Sequence, residues 1–289
     1  MVAVDKRLSA FLGRELGAFE IVRFCGWDHA ESNVWEVYAN EKRYYLKQHK
    51  QPRKFQQEVY AYQMWTPYLR PFVPELVAVS KDPNALLLSS VPGVLAQEVE
   101  LNEAREREVY RQAGTLLRRL HDLPFGDTDA LPLADALLKR SEAWLKRSRG
   151  LFDARTVDWV AGQLESAVET VRQRGWTRVP CHRDYTARNW LLNDDKLFVI
   201  DFEHARPDLW FLDIERSWSG VWQRRPDLET AFFSGYGRSL SNEERKALKK
   251  LSAHTALTTI VWANEHNDRE FEQQGREVLE RLRGGDATH

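Results

Sequence analysis

The pattern of hydrophobic and polar positions changes near residue 90 of the chain. Before that point, apolar residues occur in short runs of the kind that form strands. One helix is predicted at Pro52–Trp65, because Phe55, Val59 and Tyr62 recur at spacings of four and three. The pattern predicts strands on both sides of it, at Phe19–Phe24, Val34–Tyr38, Arg43–Lys47, Leu76–Ser80 and Ala85–Ser89.

Beyond Gly93 the apolar residues recur mainly at helical spacing. One helix is predicted after Asn102, a suitable N-cap, and Ser241–Glu244 has the pattern of a capping box that begins a C-terminal helix. The sequence therefore predicts an α+β fold, with a β-rich lobe over residues 1–90 and a helical lobe over residues 91–289. Two short strands are predicted inside the helical lobe, at Trp190–Leu192 and Leu197–Ile200.

Composition excludes several classes of protein. The 289 residues are 43% hydrophobic and 29% charged, which is typical of a globular chain and not of a disordered one. A net charge of −1 predicts no general attraction to nucleic acid or to anionic membranes. No apolar run is long enough for a membrane span or a signal peptide. Cys25 and Cys181 suit neither a disulfide framework nor zinc, so a cytoplasmic location is expected.

Chemically versatile side chains are densest around the two short strands. Asp184 and Asn189 precede the first strand, and Asp201 ends the second. A hairpin would hold these three side chains close together. Phosphoryl transfer needs such a set, since it uses oxygen ligands for Mg²⁺ and a carboxylate beside the acceptor hydroxyl. The chain has no P-loop, zinc-protease or nucleophile-elbow motif that would favour other chemistry.

The segments His182-x-Asp184-x4-Asn189 and Ile200-Asp201-Phe-Glu203 together resemble the catalytic and metal-binding segments of the protein-kinase-like superfamily. The chain is most similar to its small-molecule branch, the aminoglycoside phosphotransferase and choline kinase-like family. This resemblance implies a kinase-like fold of two lobes that binds ATP. It extends over most of the chain and includes Tyr44–Lys47, Phe55–Glu58, Leu86–Gly93 and Gly114–His121.

The resemblance also implies roles for individual residues. Asp184 would orient the acceptor hydroxyl and accept its proton. Asn189 and Asp201 would bind Mg²⁺. Lys47 would hold the α- and β-phosphates of ATP, and Glu58 would hold Lys47 in an ion pair.

Further positions follow from the same resemblance. Backbone groups near Ser90 and Val91 would bind adenine. The segment Ala30–Asn33 would cover the phosphates, with Ser32 and Asn33 as its candidate contacts.

Two residues are expected to support the catalytic loop, His182 and Asp213.

The sequence departs from the family at Arg183, where glycine is usual, and has only Gly26 where kinases carry a glycine-rich loop. Residues 202–216 contain no Ser, Thr or Tyr and no A-P-E segment. Regulation by loop phosphorylation and the usual protein substrates are therefore disfavoured.

The acceptor is less constrained by the sequence. Acidic residues crowd segment 201–215, and any that face the site would favour a cationic acceptor, such as an aminoglycoside or another amino-bearing antibiotic or metabolite. Tryptophans that follow the segment could wall an acceptor pocket or simply pack in the core. The candidate acceptor residues are Glu203, Asp208, Trp218, Trp222 and Glu265.

Several alternatives stay open at this point. Choline, amino-sugar, nucleoside and homoserine-type acceptors suit the same chemistry. A second possibility is a kinase for Ser or Thr of a natural-product precursor peptide. A third is a nucleotide-binding partner subunit without activity. A small hydroxylated molecule is the expected partner; nucleic acid and membrane are not, and a peptide or protein partner is left open.

Overall fold

The apolar runs of the first half form a five-stranded antiparallel sheet in the computed structural model, which describes residues 4–26 and 32–286, with side chains to residue 284. Its order is β1-β2-β3-β5-β4. Lys47 lies opposite Val34 on one neighbouring strand and opposite Leu86 on the other. The strands are β1 Glu20–Phe24, β2 Ser32–Ala39, β3 Lys42–His49, β4 Leu76–Lys81 and β5 Asn84–Ser89.

All five predicted strands are therefore present, and the predicted helix is found at Pro52–Met64 (α2). A helix that the sequence pattern did not predict, Lys6–Leu16 (α1), precedes the sheet. The Asp5 side chain caps this helix by accepting a hydrogen bond from the Leu8 amide at 2.8 Å. Its apolar face packs in one hydrophobic cluster with the sheet, through Leu8, Phe11, Leu12 and Leu16 against Trp35, Val37 and Leu46.

The second half is mainly helical, as predicted. Asn102 caps α3 by accepting from the Arg105 amide, and Ser241 and Glu244 form the capping box that begins α8, so both predicted caps are confirmed. Helices α5, α8 and α9 share a hydrophobic cluster that includes Val160, Leu257 and Leu279. The helices are α3 Glu103–His121, α4 Leu133–Ser148, α5 Ala154–Arg174, α6 Glu215–Ser219, α7 Pro226–Tyr236, α8 Asn242–Glu265 and α9 Arg269–Asp286.

Short strands lie among these helices, and three of them form a second sheet of order β6-β8-β9. Strands β8 and β9 are the predicted hairpin, with Trp190 opposite Val199. Gly93 leads into β6 at a φ of 120°, and a Cβ there would lie 2.6 Å from the Leu192 carbonyl oxygen. Only glycine lets the chain approach β8 so closely. The short strands are β6 Val94–Leu95, β7 Val179–Cys181, β8 Trp190–Asn193, β9 Lys196–Val199 and β10 Arg206–Asp208.

Contacts within the chain define two compact units. The first comprises Met1–Leu123, Pro180–Arg206 and Ser234–Gly237, and the second comprises Pro124–Val179, Pro207–Phe233 and Arg238–His289. The β8–β9 hairpin thus belongs to the same unit as the five-stranded sheet. The architecture confirms the α+β class, while a functional lobe boundary at residue 90 stays a prediction. Within the described residues, the helices are all too short or too polar to span a bilayer.

Candidate active site

His182 joins the loop before β8 to the end of β9. Its Nε2 donates to the Ile200 carbonyl oxygen at 3.0 Å, and its Nδ1 accepts from the Asp184 amide at 3.3 Å. Because one ring nitrogen donates and the other accepts, the imidazole is the neutral tautomer with its proton on Nε2. The ring is fully buried, so these two bonds fix the loop against the strand. This arrangement suits the supporting role predicted for His182.

The carboxylate of Asp184 is held by two neighbours from its own loop. Asn189 Nδ2 donates to the backbone oxygen of Asp184 at 2.9 Å and to its Oδ2 at 2.8 Å. Arg188 Nη2 lies 2.7 Å from both carboxylate oxygens. Sequence reasoning missed Arg188, although its position four residues after Asp184 is the spacing at which an ion pair forms on one turn.

Two residues that flank this chemistry have left-handed backbone conformations. Arg183 has a φ of 67° and Asp201 a φ of 68°. Such conformations cost a residue other than glycine about 1 kcal/mol or more. The value at Arg183 gives a physical reason why glycine suits this position in the family that the sequence resembles. Strain of this kind is often found where a loop directs a functional side chain, which suits the roles predicted for Asp184 and Asp201.

Lys47 lies at the centre of a cluster of three carboxylates. Its Nζ is 3.1 Å from Glu58, 2.6 Å from Asp201 Oδ1 and 3.0 Å from Glu203 Oε2. The predicted ion pair with Glu58 is therefore present. Burial disfavours the ammonium, but the carboxylates of Asp201, Glu58 and Glu203 outweigh it and raise the pKa of Lys47 well above its usual value.

Glu58 has a second partner in His49. The His49 Nε2 lies 2.6 Å from Glu58 Oε2, and both side chains are fully buried. His49 follows Lys47 by two residues on β3, so both side chains lie on one face of the sheet. Burial alone would raise the pKa of Glu58, yet Lys47 and His49 together lower it. The alternation of β3 was the signal that could have identified His49.

The proton of His49 can be placed from its surroundings. Among the described residues, its buried Nδ1 has no hydrogen-bond partner. A proton on Nδ1 would leave a buried donor unsatisfied, so the proton belongs on Nε2, where it is donated to Glu58. His49 is thus a neutral donor that fixes the carboxylate facing Lys47.

Glu203 is held within the same cluster. Ser32 Oγ donates to Glu203 Oε2 at 3.0 Å, and His204 Nε2 lies 3.3 Å from Oε1. Lys54 Nζ lies 2.7 Å from the other ring nitrogen of His204. Burial opposes ionisation, but Lys47 and His204 outweigh it and lower the pKa of Glu203. The Glu203 carboxylate therefore binds Lys47, where the sequence had suggested an acceptor contact.

The remaining residues of the predicted nucleotide site lie on the sheet and just after it. Asn33 Nδ2 faces Gln48 Oε1 across the strand pair at 3.5 Å. Ser90 directly follows β5, and its amide donates to the Arg43 carbonyl oxygen at 3.3 Å. Val91 is half-buried beside it, and its carbonyl oxygen accepts a bond from Ser90 Oγ. Residues 30 and 31 of the predicted phosphate-covering segment lie outside the described residues.

The donor atoms near the hairpin fit a Mg²⁺ ion, which prefers oxygen ligands. Both bonds from the Asn189 amide nitrogen go to Asp184, so Oδ1 is the atom of this side chain that a cation would bind. Asp201 contacts Lys47 through Oδ1, and its side chain is 35% exposed. His49, Glu58 and Glu203 also lie within ligand distance of one another, but the Lys47 ammonium already contacts both carboxylates.

The acidic acceptor candidates of the second unit have partners within that unit. Asp208 is fully buried, and Arg140 Nη2 lies 3.1 Å from both of its carboxylate oxygens. Glu265 accepts from Arg147 Nε at 2.9 Å. Asp213, expected to support the loop, is buried.

The two tryptophan candidates are also buried. Trp222 packs against Phe232 and Phe233, with ring centroids 5.1 and 5.7 Å apart. Trp218 is 9% exposed. These contacts are those of hydrophobic core residues, and the acceptor contacts predicted for both side chains stay a prediction.

Comparison with known proteins places this site in a family. Residues 23–251 match the model of the phosphotransferase enzyme family, APH. The chain belongs to this family. It is accordingly a phosphotransferase with an alcohol group as acceptor, and the resemblance noted from the catalytic motifs is confirmed. No curated protein matches the sequence.

Solved structures show the same fold at low sequence identity. The apo form of a thermostable mutant of aminoglycoside phosphotransferase APH(4)-Ia superimposes with a TM-score of 0.75 at 14% identity, over 97% of this chain and 99% of that one. The gentamicin complex of APH(2")-IIa gives a TM-score of 0.69 at 17% identity, over 96% of this chain and 97% of that one. The protein-kinase-like fold is therefore confirmed, whereas identities this low leave the substrate open.

Proposed function

We propose that this phosphotransferase moves the γ-phosphoryl group of ATP, with Mg²⁺, to a hydroxyl group of a small molecule. One observation carries the proposal. Lys47, which lies 154 residues before Asp201 in the sequence, contacts Asp201 in the first unit, and the β8–β9 hairpin connects Asp201 to Asp184 and Asn189. Positioning of this kind dominates catalysis of phosphoryl transfer.

Some of these residues would bind the nucleotide, and Asp184 would bind the acceptor. Lys47, held by Glu58, would bind the α- and β-phosphates. Asp184 would accept a hydrogen bond from the acceptor hydroxyl, orient it toward the phosphorus atom and receive its proton. Asn189 and Asp201 would hold Mg²⁺, which neutralises charge on the phosphates when bound.

An amino-bearing acceptor is the first class to test. Its support comes from the fold neighbours, which include structures with gentamicin and with streptomycin and ATP. The acidic segment adds less support than its composition suggested, because Glu203 is paired with Lys47 and Asp208 with Arg140.

The test measures ADP release from Mg-ATP against aminoglycosides, amino alcohols, nucleosides and hydroxylated peptides, with Asp184→Asn alongside. Release that depends on a small acceptor and is lost in Asp184→Asn would support the proposal. Release only with peptides would favour the precursor-peptide kinase. Binding of ATP without release for any acceptor would contradict catalysis and favour a partner subunit. Repeating the assay with GTP defines the nucleotide.

A further inference from the structure

A positive charge lies directly on the carboxylate that is proposed to accept the hydroxyl proton. Arg188 contacts Asp184 through Nε at 3.2 Å and through Nη2 at 2.7 Å to each oxygen. The Asp184 side chain is 6% exposed and that of Arg188 is 42% exposed. Arg188 is therefore the more solvent-exposed partner of this ion pair.

Arg188 also has N–H donors that its contacts to Asp184 do not use. A guanidinium has five N–H donors, and the contacts to Asp184 use only those on Nε and Nη2. Within residues 4–26 and 32–286, Nη1 has no hydrogen-bond partner. Arg188 thus keeps two N–H donors on Nη1 and its positive charge for an acceptor group.

This arrangement constrains what can stand next to the reacting hydroxyl. A hydroxyl that gives its proton to Asp184 must come within about 3 Å of the carboxylate. Since Nη2 lies 2.7 Å from both carboxylate oxygens, the guanidinium then lies within about 6 Å of that hydroxyl and can reach a substituent on a neighbouring carbon. A carboxylate alone would attract an ammonium there, but Arg188 neutralises Asp184 and presents its own charge to the acceptor.

We propose that Arg188 is an acceptor-binding residue that selects hydroxyl compounds whose group beside the reacting hydroxyl is neutral or anionic, and that it disfavours an ammonium at that place. This inference rests on the proposed function and refines its acceptor class. Amino groups farther from the reacting hydroxyl remain compatible with it.

The test uses sets of acceptors that share a hydroxyl and differ in the adjacent charge. One set is 2-aminoethanol, ethylene glycol and glycolate. A second is glucosamine with N-acetylglucosamine, and a third is kanamycin with its N-acetylated form. ADP release from Mg-ATP gives kcat/KM for each member, and the readout is the ratio of the neutral or anionic member to the ammonium member.

Three variants of the full chain separate charge from structure. Arg188→Gln removes the cation, and Arg188→Lys keeps it. Arg107→Gln is the matched control, because Arg107 on α3 is as exposed as Arg188 and pairs with an acidic residue four positions away, the exposed Glu103. Ratios are compared within each variant, so a general loss of activity or stability cancels.

We expect a wild-type ratio of at least about tenfold in favour of the neutral or anionic member, retained in Arg188→Lys and Arg107→Gln. Arg188→Gln should lower the ratio at least about fivefold. A wild-type preference for the ammonium member, an unchanged ratio in Arg188→Gln, or an equal loss in Arg188→Lys would overturn the inference while the kinase function stands. Absence of release in every set and with every member of the acceptor panel, despite ATP binding, would overturn the proposed function and this inference with it.

Discussion

Buried charge is arranged differently in the two units of the molecule. Around Lys47 in the first unit, one ammonium faces three carboxylates. In the second unit, Arg140 and the fully buried Asp208 form a pair with one charge of each sign. A balanced pair needs no further ligand, whereas a cluster with excess negative charge is stabilised by an added cation. Charge balance, more than residue type, therefore distinguishes the Lys47 cluster, which can bind a further cation, from the structural pair of Arg140 and Asp208.

Replacing an aspartate by asparagine in each unit gives the strongest test of this difference in charge balance. Asp184→Asn should lower kcat by at least about 10³-fold, because an amide cannot accept the hydroxyl proton. Its melting temperature should change by only a few degrees, since Arg188 stays solvated when it loses its partner. Steady-state ADP release and thermal unfolding measure the two effects. Turnover close to wild type would refute the role of Asp184.

Asp208→Asn should show the opposite profile. It leaves the partly exposed Arg140 beside a neutral amide and weakens its bonds to the fully buried position 208, which should lower the free energy of unfolding by about 2 kcal/mol. Turnover per folded molecule should be kept. Urea unfolding and ADP release at 15 °C would measure both. A stable variant with lost turnover would instead support the acceptor contact that the sequence suggested for Asp208.

The buried His254 of the second unit should make the stability of the protein depend on pH. Burial, with a smaller effect of Arg140, lowers the pKa of His254 to about 4. The folded protein therefore keeps this ring neutral, while the unfolded chain binds a proton below about pH 6.5. Stability should be constant above that pH and fall as the pH drops toward 4, by about 2 kcal/mol between pH 7 and pH 5.

The measurement is urea unfolding of wild type and His254→Leu at pH 7, 6 and 5. The variant lacks the titrating group, so its stability should depend less on pH over this range. Equal pH dependence in the two proteins would show that other groups cause the loss.

Substitution of His49 should have the smallest effect, and it tests how firmly Glu58 holds Lys47. His49→Leu removes the neutral donor that fixes Glu58, so Lys47 is held less rigidly against the nucleotide phosphates. We expect the KM for ATP to rise about tenfold, with a smaller change in kcat. His49→Gln keeps an N–H donor and should restore the KM to within about threefold.

The control for His49 is Leu16→Ala, which destabilises the hydrophobic cluster of the first unit without altering a charge. Its KM for ATP should stay close to wild type. If Leu16→Ala and His49→Leu raise KM equally, His49 contributes only general stability and no positioning of Lys47.

Much of this protein follows from the sequence alone. Short apolar runs placed the strands of the sheet, and capping signals placed the starts of α3 and α8, because these features depend on neighbours a few residues apart. The spacing from His182 to Asp184, Asn189 and Asp201 identified the family for the same reason. Helix α1 was missed, although Leu8, Phe11 and Leu12 have helical spacing.

Only the tertiary structure decided which charges meet. Lys47 and Asp201 are 154 residues apart in sequence, and Arg140 and Asp208 are 68 apart. No local pattern indicates such contacts, so the sequence could not show that Asp208 pairs with Arg140 while Asp201 contacts Lys47. Even the local pair of Arg188 and Asp184 required the loop conformation, since spacing brings the side chains near but backbone dihedrals decide where each one points.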